Sequence, residues 1–295
     1  MDAADLRLFA AVARTGGIGK AALVLNTVQP NVTARLKALE DRLGTVLFER
    51  SNRGVVLTAA GRRLLPYAER IGRLMEDAKR AVRDSGEPAG PLTIGSLETT
   101  AALHLSPCLA SFAKAHPAVD LSLKTGTSAE LIDQVLDRIV DGAFVCGPVD
   151  HVDLQVEPIF SEELVVLTAP GLCGIDDLLR AGDLKLIVLR AGCSYRQIFE
   201  AYLARRGTVA ARVLEFGTIE TIISCVAAGL GVTLLPKSLI GAVWSAGRLA
   251  VHHLQNGEGR VETVFIQHRD AYATSALRAF VDAVRPAFAR LEAAE

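Results

Sequence analysis

The chain of 295 residues lacks any apolar run of about 18 or more, so nothing in it is predicted to span a membrane. Its five cysteines, Cys108, Cys146, Cys173, Cys193 and Cys225, form no CxxC or CxxH pair. A zinc site and a disulfide framework are therefore not expected, and the thiols read as reduced. His252-His253 and His268 have no coherent metal-ligand spacing, and His104 and His116 read as helix-face or turn residues. No Ser–His–Asp pattern, P-loop or GxGxxG fingerprint stands out, so the reading is no enzyme, no metal and no cofactor. Met1-Asp2-Ala3-Ala4-Asp5 is acidic where a secretory leader would be basic, and the expected location is the cytoplasm. Net charge of either sign is missing too: 32 Lys/Arg stand against 33 Asp/Glu, a formal −1.

That neutrality is a sum of opposites. Residues 1–83 hold 15 Lys/Arg and 8 Asp/Glu, a net of +7. Residues 84–295 hold 17 and 25, a net of −8. A basic N-terminal quarter on an acidic body suggests a polyanion-binding head on a separate module. With 50% hydrophobic and 22% charged residues the chain is globular, and its length allows two to three domains.

The head reads as three short helices and a β-wing. Leu6, Phe9, Ala10 and Ala13 recur at helical spacing, and Thr15-Gly16-Gly17 ends that helix. Residues 18–25 form a second helix with Ala21, Ala22 and Leu25 inward, and Asn26 makes the turn. Thr27 is the expected N-cap of a third helix, with Pro30 in its first turn. Val32, Leu36, Leu39 and Leu43 are its buried stripe. The opposite face carries Thr27, Pro30, Asn31, Thr33, Ala34 and Lys37, with Gln29 and Arg35 on its flanks. Such a small, polar, basic face suits a groove-reading helix. Strands at 47–50 and 55–58 bracket Ser51-Asn52-Arg53-Gly54, a wing whose Arg50 and Arg53 can meet phosphate or enter a minor groove.

Residues 4–66 resemble the N-terminal domain of the LysR-type transcriptional regulators. The shared string is Asp5-Leu6-Arg7-Leu8-Phe9, Ala21-Ala22, Gln29-Pro30, Val32-Thr33, Leu39-Glu40, Leu43-Gly44, Leu47-Phe48-Glu49-Arg50, Arg53-Gly54 and Leu57-Thr58-Ala59-Ala60-Gly61. The resemblance implies a winged helix-turn-helix whose third helix enters the major groove. Gly17 and Gly19 stand where many members have Ser or Thr, and Ala34 where many have Arg. Arg35 or Asn31 is the candidate substitute for that missing Arg. By side-chain chemistry Gln29 suits adenine, Arg35 suits guanine or phosphate, and Thr33 with Pro30 can touch a thymine methyl.

Thr58 is expected to cap a long helix to about residue 83. Leu64, Leu65, Ala68, Ile71, Leu74, Met75, Ala78 and Val82 form one apolar stripe along it, and Pro66 predicts a kink. A lone helix with such a stripe must bury it, against its own body or against a partner helix. The resemblance favours a homodimer through this linker, assembled further to a homotetramer. Ser85-Gly86-Glu87-Pro88-Ala89-Gly90-Pro91 reads as a hinge.

Beyond the hinge, short apolar runs alternate with helical segments. Strands at 92–95, 119–125 and 142–146 enclose helices at 101–115 and 128–139, an order that predicts a parallel sheet. A second set follows at 163–168, 175–181, 186–189, 194–206, 218–228 and 232–235, closed by a strand at 262–267 and a helix at 275–291. The crossover near 159–168 and the return near 262–267 suggest two lobes joined by two strands. Leu92-Thr93-Ile94-Gly95, His116-Pro117, Gly192-Cys193-Ser194-Tyr195-Arg196 and Ala227-Ala228-Gly229-Leu230-Gly231-Val232 with Leu235-Pro236 resemble the effector-binding domain of the same family. That domain itself looks like periplasmic solute-binding proteins. The expected organisation is a DNA-binding domain at 1–58, a linker and hinge at 59–90, and an effector-binding domain at 91–295. Its lobe I covers about 91–160 and 265–295, and lobe II about 161–264.

Ligands of two-lobed α/β bodies bind in the inter-lobe cleft, at the carboxyl ends of strands. The candidates are Ser96, Glu98, Thr99 and Thr100; Thr125 and Thr127; Cys193, Ser194 and Arg196; and Thr218. Most of these places offer hydroxyls and helix N-terminal amides, while Glu98 could select an amine or donor-bearing effector. The stretch at Cys193 is similar to the reactive-cysteine stretch of the family's peroxide-sensing member. Aligning on Arg196 puts Ser194 at the reactive position, and no resolving cysteine lies nearby in the sequence. The favoured function is a ligand-responsive DNA-binding regulator with duplex DNA, a second copy of itself and RNA polymerase as partners. The alternatives are a solute-binding protein without a regulatory role and a redox-responsive regulator using Cys193.

Overall fold

The computed structural model describes residues 1–51, 54–171, 184–189, 192–208, 212–241 and 247–292. They fall into two compact units, Met1–Asp84 and Ser85–Glu295.

In the first unit, α1 (Ala3–Thr15) starts at a capping box in which Asp2 and Asp5 each accept from the other's backbone N–H. It stops at Gly16, whose φ of 66° is the left-handed conformation a glycine adopts without strain. After α2 (Ile18–Val24), Asn26 turns the chain at φ 50° into α3 (Gln29–Leu43). The N-cap of α3 is Val28, with no side-chain cap bond, so the expectation of Thr27 is corrected. Thr27 instead accepts a hydrogen bond from the Asn31 amide at 2.9 Å. Val32, Leu36 and Leu39 are buried on α1 and α2, while Leu43, expected in the same stripe, is 37% exposed at the end of the helix.

The wing is an antiparallel pair, β1 (Phe48–Ser51) and β2 (Gly54–Leu57). Glu40 on α3 anchors it by accepting from the backbone N–H groups of Leu47 at 2.7 Å and Phe48 at 3.2 Å. A Cβ on Gly54 would overlap the Gly16 carbonyl, and Val55 N donates to that same oxygen, so the wing base lies directly on the end of α1. The tip residues Asn52 and Arg53 lie outside the described residues.

Thr58 caps α4 (Ala59–Arg83), accepting from Gly61 N and donating to the Val46 carbonyl. The helix runs through Pro66. Its apolar stripe divides. Leu64, Leu65, Ala68 and Ile71 pack into the core of the head, while Leu74, Met75 and Val82 are exposed.

The second unit is built on one seven-stranded sheet. Its strands are β3 (Gly90–Ser96), β4 (Val119–Thr125), β5 (Gly142–Cys146), β6 (Leu154–Thr168), β9 (Thr233–Pro236), β10 (Ala250–His253) and β11 (Arg260–His268). A separate parallel pair joins β7 (Lys185–Val188) to β8 (Arg212–Glu215). The three strands read as a parallel βαβαβ set pair as expected, and the strands added from the rest of the unit make the whole sheet mixed. β3 runs parallel to β4 and β5, but β11 is antiparallel to β5 and β6, and β6 is antiparallel to β9 and β10. The reason is topological. β11 returns from lobe II to lobe I alongside β6 to deliver the last helix, so the two cross in opposite senses.

β6 and β11 pair across both lobes, with a register shift between Thr263 and Val264 opposite Ile159. A bulge there concentrates twist at the junction of the lobes. The first half of β6, β8 and β10 were not foreseen, and the segment expected at 175–181 lies outside the described residues. Helices α5 (Ser106–Ala115) and α9 (Ser275–Glu292) cover lobe I over a core that includes Leu92, Phe112, Phe144, Phe265, Phe280 and Phe288. A π-helical turn, Ala101–Leu105, leads into α5. α6 (Ser128–Leu136), α7 (Ser194–Arg205) and α8 (Ile219–Ala227) each begin within one residue of the position read from the sequence. Among the described residues no helix is long and apolar enough to cross a membrane.

Candidate DNA interface and ligand cleft

The exposed face of α3 is sorted by what each side chain already holds. Gln29, Pro30, Asn31 and Lys37 are exposed. Asn31 donates to Thr27, and Thr33 donates to the Gln29 carbonyl at 3.0 Å. The Thr33 proton is thus committed within the helix, which leaves its methyl and lone pairs for a groove.

Arg35 is different. It donates through Nη2 at 2.7 Å and Nε at 3.3 Å to Asp5 Oδ1, and it lies 3.6 Å from Asp2. Arg42 reaches the other Asp5 oxygen at 3.1 Å. Asp5 is 2% exposed. The Arg35 guanidinium, expected at guanine or phosphate, is engaged through Nε and Nη2 by Asp5. Burial would raise the Asp5 carboxyl, but the Arg35 hydrogen bond, the Asp2 backbone and the charges of Arg42 and Arg35 together hold it below the usual carboxylate range. Arg50 lies on β1 at the wing, and Arg53 lies outside the described residues.

In the body, three of the four expected places converge. A cleft of about 460 Å³, counting space open to solvent, lies between the loop after β3, the loop after β4 and the start of α7. Glu98, Thr99, Thr125, Thr127 and Cys193 line it, as do Tyr195 and Leu189. Thr127 caps α6 in a capping box with Glu130, accepting from its N–H while donating its own N–H to the Glu130 carboxylate.

Five expected residues are not brought to this cleft, each for a local reason. Ser96 is fully buried and donates to the Leu97 carbonyl. Thr100 is buried beside the cleft lining with its hydroxyl unpaired. Ser194 donates to Ser128 at 2.8 Å, fastening α7 to α6. Arg196 turns along its own helix to Glu200 at 2.9 Å and toward Glu215 at 3.6 Å. Thr218 is an exposed N-cap of α8, bonded to Thr221.

Two residues absent from the expected site set stand together here, Tyr195 in the cleft lining and Glu162 behind it. Tyr195, 4% exposed, donates to Glu162 Oε1 at 2.8 Å and meets Thr99 Oγ1 at 3.2 Å. Glu162 sits on β6, also 4% exposed. A signal for it existed: the period of two in a strand puts Glu162 on the face of Phe160 and Leu164, which are core residues. The three side chains link lobe I, the crossing strand and lobe II. Burial pushes the Cys193 thiol up despite backbone bonds from Arg196 and Tyr195, and burial beside Glu162 and Cys193 pushes Cys146 up to about 12. Both thiols stay protonated near neutral pH, the opposite of what an activated cysteine needs.

A basic winged helix-turn-helix followed by a two-lobed α/β body with a cleft defines a regulator with its own sensing domain. Residues 3–62 match the family described as "Bacterial regulatory helix-turn-helix protein, lysR family", and residues 85–289 match "LysR substrate binding domain". The chain belongs to the LysR family of transcriptional regulators. It is 43% identical over 286 residues to the uncharacterized regulator YusT of Bacillus subtilis (strain 168), covering 97% of this chain and 96% of the relative. It is 41% identical over 283 residues to the regulator GltR of the same organism, covering 96% of both. Among solved structures, a full-length OxyR variant from Pseudomonas aeruginosa aligns at TM-score 0.68 and 21% identity, over 97% of this chain and 95% of that one, a likeness of fold. Full-length CbnR complexed with its target DNA aligns at TM-score 0.62 and 27% identity, over 97% of this chain and 100% of that one.

Proposed function

We propose that this regulator reads a pseudo-palindromic duplex site with α3 and the wing of two or more copies, and that a small molecule in the 97–99/193–195 cleft sets its activity. The observation that carries the DNA reading is the face of α3. Gln29, Pro30, Asn31 and Lys37 are exposed at its first turns with no acidic residue among them. Gln29 and the Thr33 methyl are the base-reading groups, while Lys37, Arg50 and Arg53 neutralise phosphate. CbnR, a relative by fold and sequence, is solved on its target DNA, which supports the same use of the head here.

The exposed residues Tyr67, Leu74, Met75 and Val82 of α4 supply the face for a second copy. A dimer through this helix, and a tetramer built from dimers, spaces the recognition helices by about one helical turn of DNA or a multiple of it. An effector that favours one arrangement of the lobes shifts the population of the whole assembly and re-aims the heads. RNA polymerase is the partner such a promoter-bound assembly would engage, and the cytoplasm is where both are found.

A mobility-shift assay on the intergenic DNA upstream of the protein's own gene tests the reading. Binding should weaken as salt rises and weaken further with Arg53→Ala. Salt-independent affinity, or none, overturns it. A thermal-shift screen of small metabolites tests the sensing half, because a ligand that binds only the folded state raises its apparent stability.

A further inference from the structure

We propose that the effector carries a cationic, hydrogen-bond-donating group, an ammonium or amidinium, that docks against Glu98 beside the Thr99–Tyr195 wall. This rests on the reading of the cleft as the effector site.

The location of the protons comes first. Glu162 accepts from the Tyr195 phenol. Tyr195 has one phenolic proton, and at 2.8 Å that proton belongs to the bond with Glu162. Thr99 lies 3.2 Å from the same phenol oxygen, so the threonine must be the donor in that pair. The chain therefore runs Thr99 to Tyr195 to Glu162, ordered from the cleft toward the crossing strand. Both hydroxyls have their protons committed inward and turn only lone pairs to a ligand. Burial and the adjacent Glu162 push the Tyr195 phenol well above its ordinary range, so it keeps its proton near neutral pH.

Charge comes second. Glu98 lines the same cleft, half-buried, and makes no hydrogen bond or ion pair with any described residue. Its place at the start of the helical segment after β3 gives it a favourable dipole but satisfies none of its lone pairs. No cation stands among the described lining residues, and Arg196 is committed to Glu200 and Glu215. A carboxylate ligand at this end would meet a like charge and two oxygens without protons to give. An ammonium or amidinium there meets one charge partner and two neutral acceptors.

Calorimetric titration of the full-length protein with 1,4-diaminobutane and with succinate, chains of equal length and opposite charge, tests this. The variants are Glu98→Gln, Glu98→Asp and Thr125→Trp. Thr125 is exposed on the cleft wall, so an indole there plugs it. The diammonium should bind the unsubstituted protein, bind Glu98→Gln at least about tenfold more weakly, and keep most of its affinity in Glu98→Asp. It should fail to bind Thr125→Trp, with melting curves showing all variants folded. Equal binding to Glu98→Gln, or tighter binding of succinate, overturns the proposal; if Thr125→Trp still abolishes that binding, the cleft reading survives it. Diammonium binding that Thr125→Trp leaves intact overturns the cleft reading instead. Absence of diammonium binding up to about 10 mM overturns the cationic assignment.

Discussion

Arg35 on the recognition helix donates to Asp5, thirty positions earlier on α1, with its Nη2 2.7 Å from a carboxylate that is 2% exposed. This one pair ties α3 to α1.

Asp5→Asn should destabilise the head by roughly 1–3 kcal/mol, because it leaves two guanidiniums facing a neutral amide. The effect has a pH sign. The Asp5 carboxyl is held low in the folded state, so its contribution is present above the unfolded carboxylate range, near about 3.9. It is lost as pH falls through the lower folded value. Melting curves between about pH 3 and pH 6 should show the gap between the natural protein and Asp5→Asn closing on acidification. A gap that stays constant or widens contradicts the assignment.

Salt titration separates Arg35 from Lys37 on α3. Lys37→Ala should reduce the slope of log affinity against log salt by about one, as a lost phosphate contact does. Arg35→Ala should leave that slope unchanged while lowering the melting temperature, since its guanidinium is turned to Asp2 and Asp5. Equal slope changes for both would return Arg35 to the DNA.

The exposed end of α4 makes a prediction about assembly. Val82 is 88% exposed and Leu74 is 49% exposed, so neither supports the described fold of the head. Leu74→Glu with Val82→Glu should move the sedimentation equilibrium toward monomer by at least about tenfold in dissociation constant. Melting of the head should shift by no more than about 0.5 kcal/mol in stability. An unchanged association constant would place the self-association surface elsewhere.

Peroxide should have little effect. With Cys193 raised by burial and Cys146 raised to about 12, neither offers a thiolate near neutral pH. Intact-mass measurement after mild peroxide treatment should find no disulfide or sulfenate at Cys193 and unaltered DNA binding. A stable Cys193 adduct with changed binding would restore the redox reading.

Local chemistry made much of this protein legible before any coordinates. The glycine after α1, the asparagine turn, the cap at Thr58, and the starts of α6, α7 and α8 depend on neighbours within a few residues. Three of the four cleft segments were found for the same reason: strand ends followed by Ser or Thr before a helix are visible in a short window. The antiparallel return of β11 was not visible, because strand direction depends on where a distant segment re-enters the sheet. Short β8 and β10 carry no alternation long enough to read.

The sequence by itself determined the division into a basic head and an acidic body, the helix-turn-helix with its wing, and the segments that meet at the cleft. Those follow from composition and from periodicity, which are properties of neighbours along the chain. Tertiary structure alone decided what each polar side chain holds. Arg35, basic and a plausible contact on paper, is taken by Asp5, and Arg196 lies 3.6 Å from Glu215 on a separate strand, while Glu98 is left unpaired among the described residues. Glu162, in the middle of a strand, becomes the acceptor that orders Tyr195 and Thr99. A long-range hydrogen bond or ion pair is set by which distant groups folding brings within about 3 Å, and charge or residue type alone carries no record of that partner.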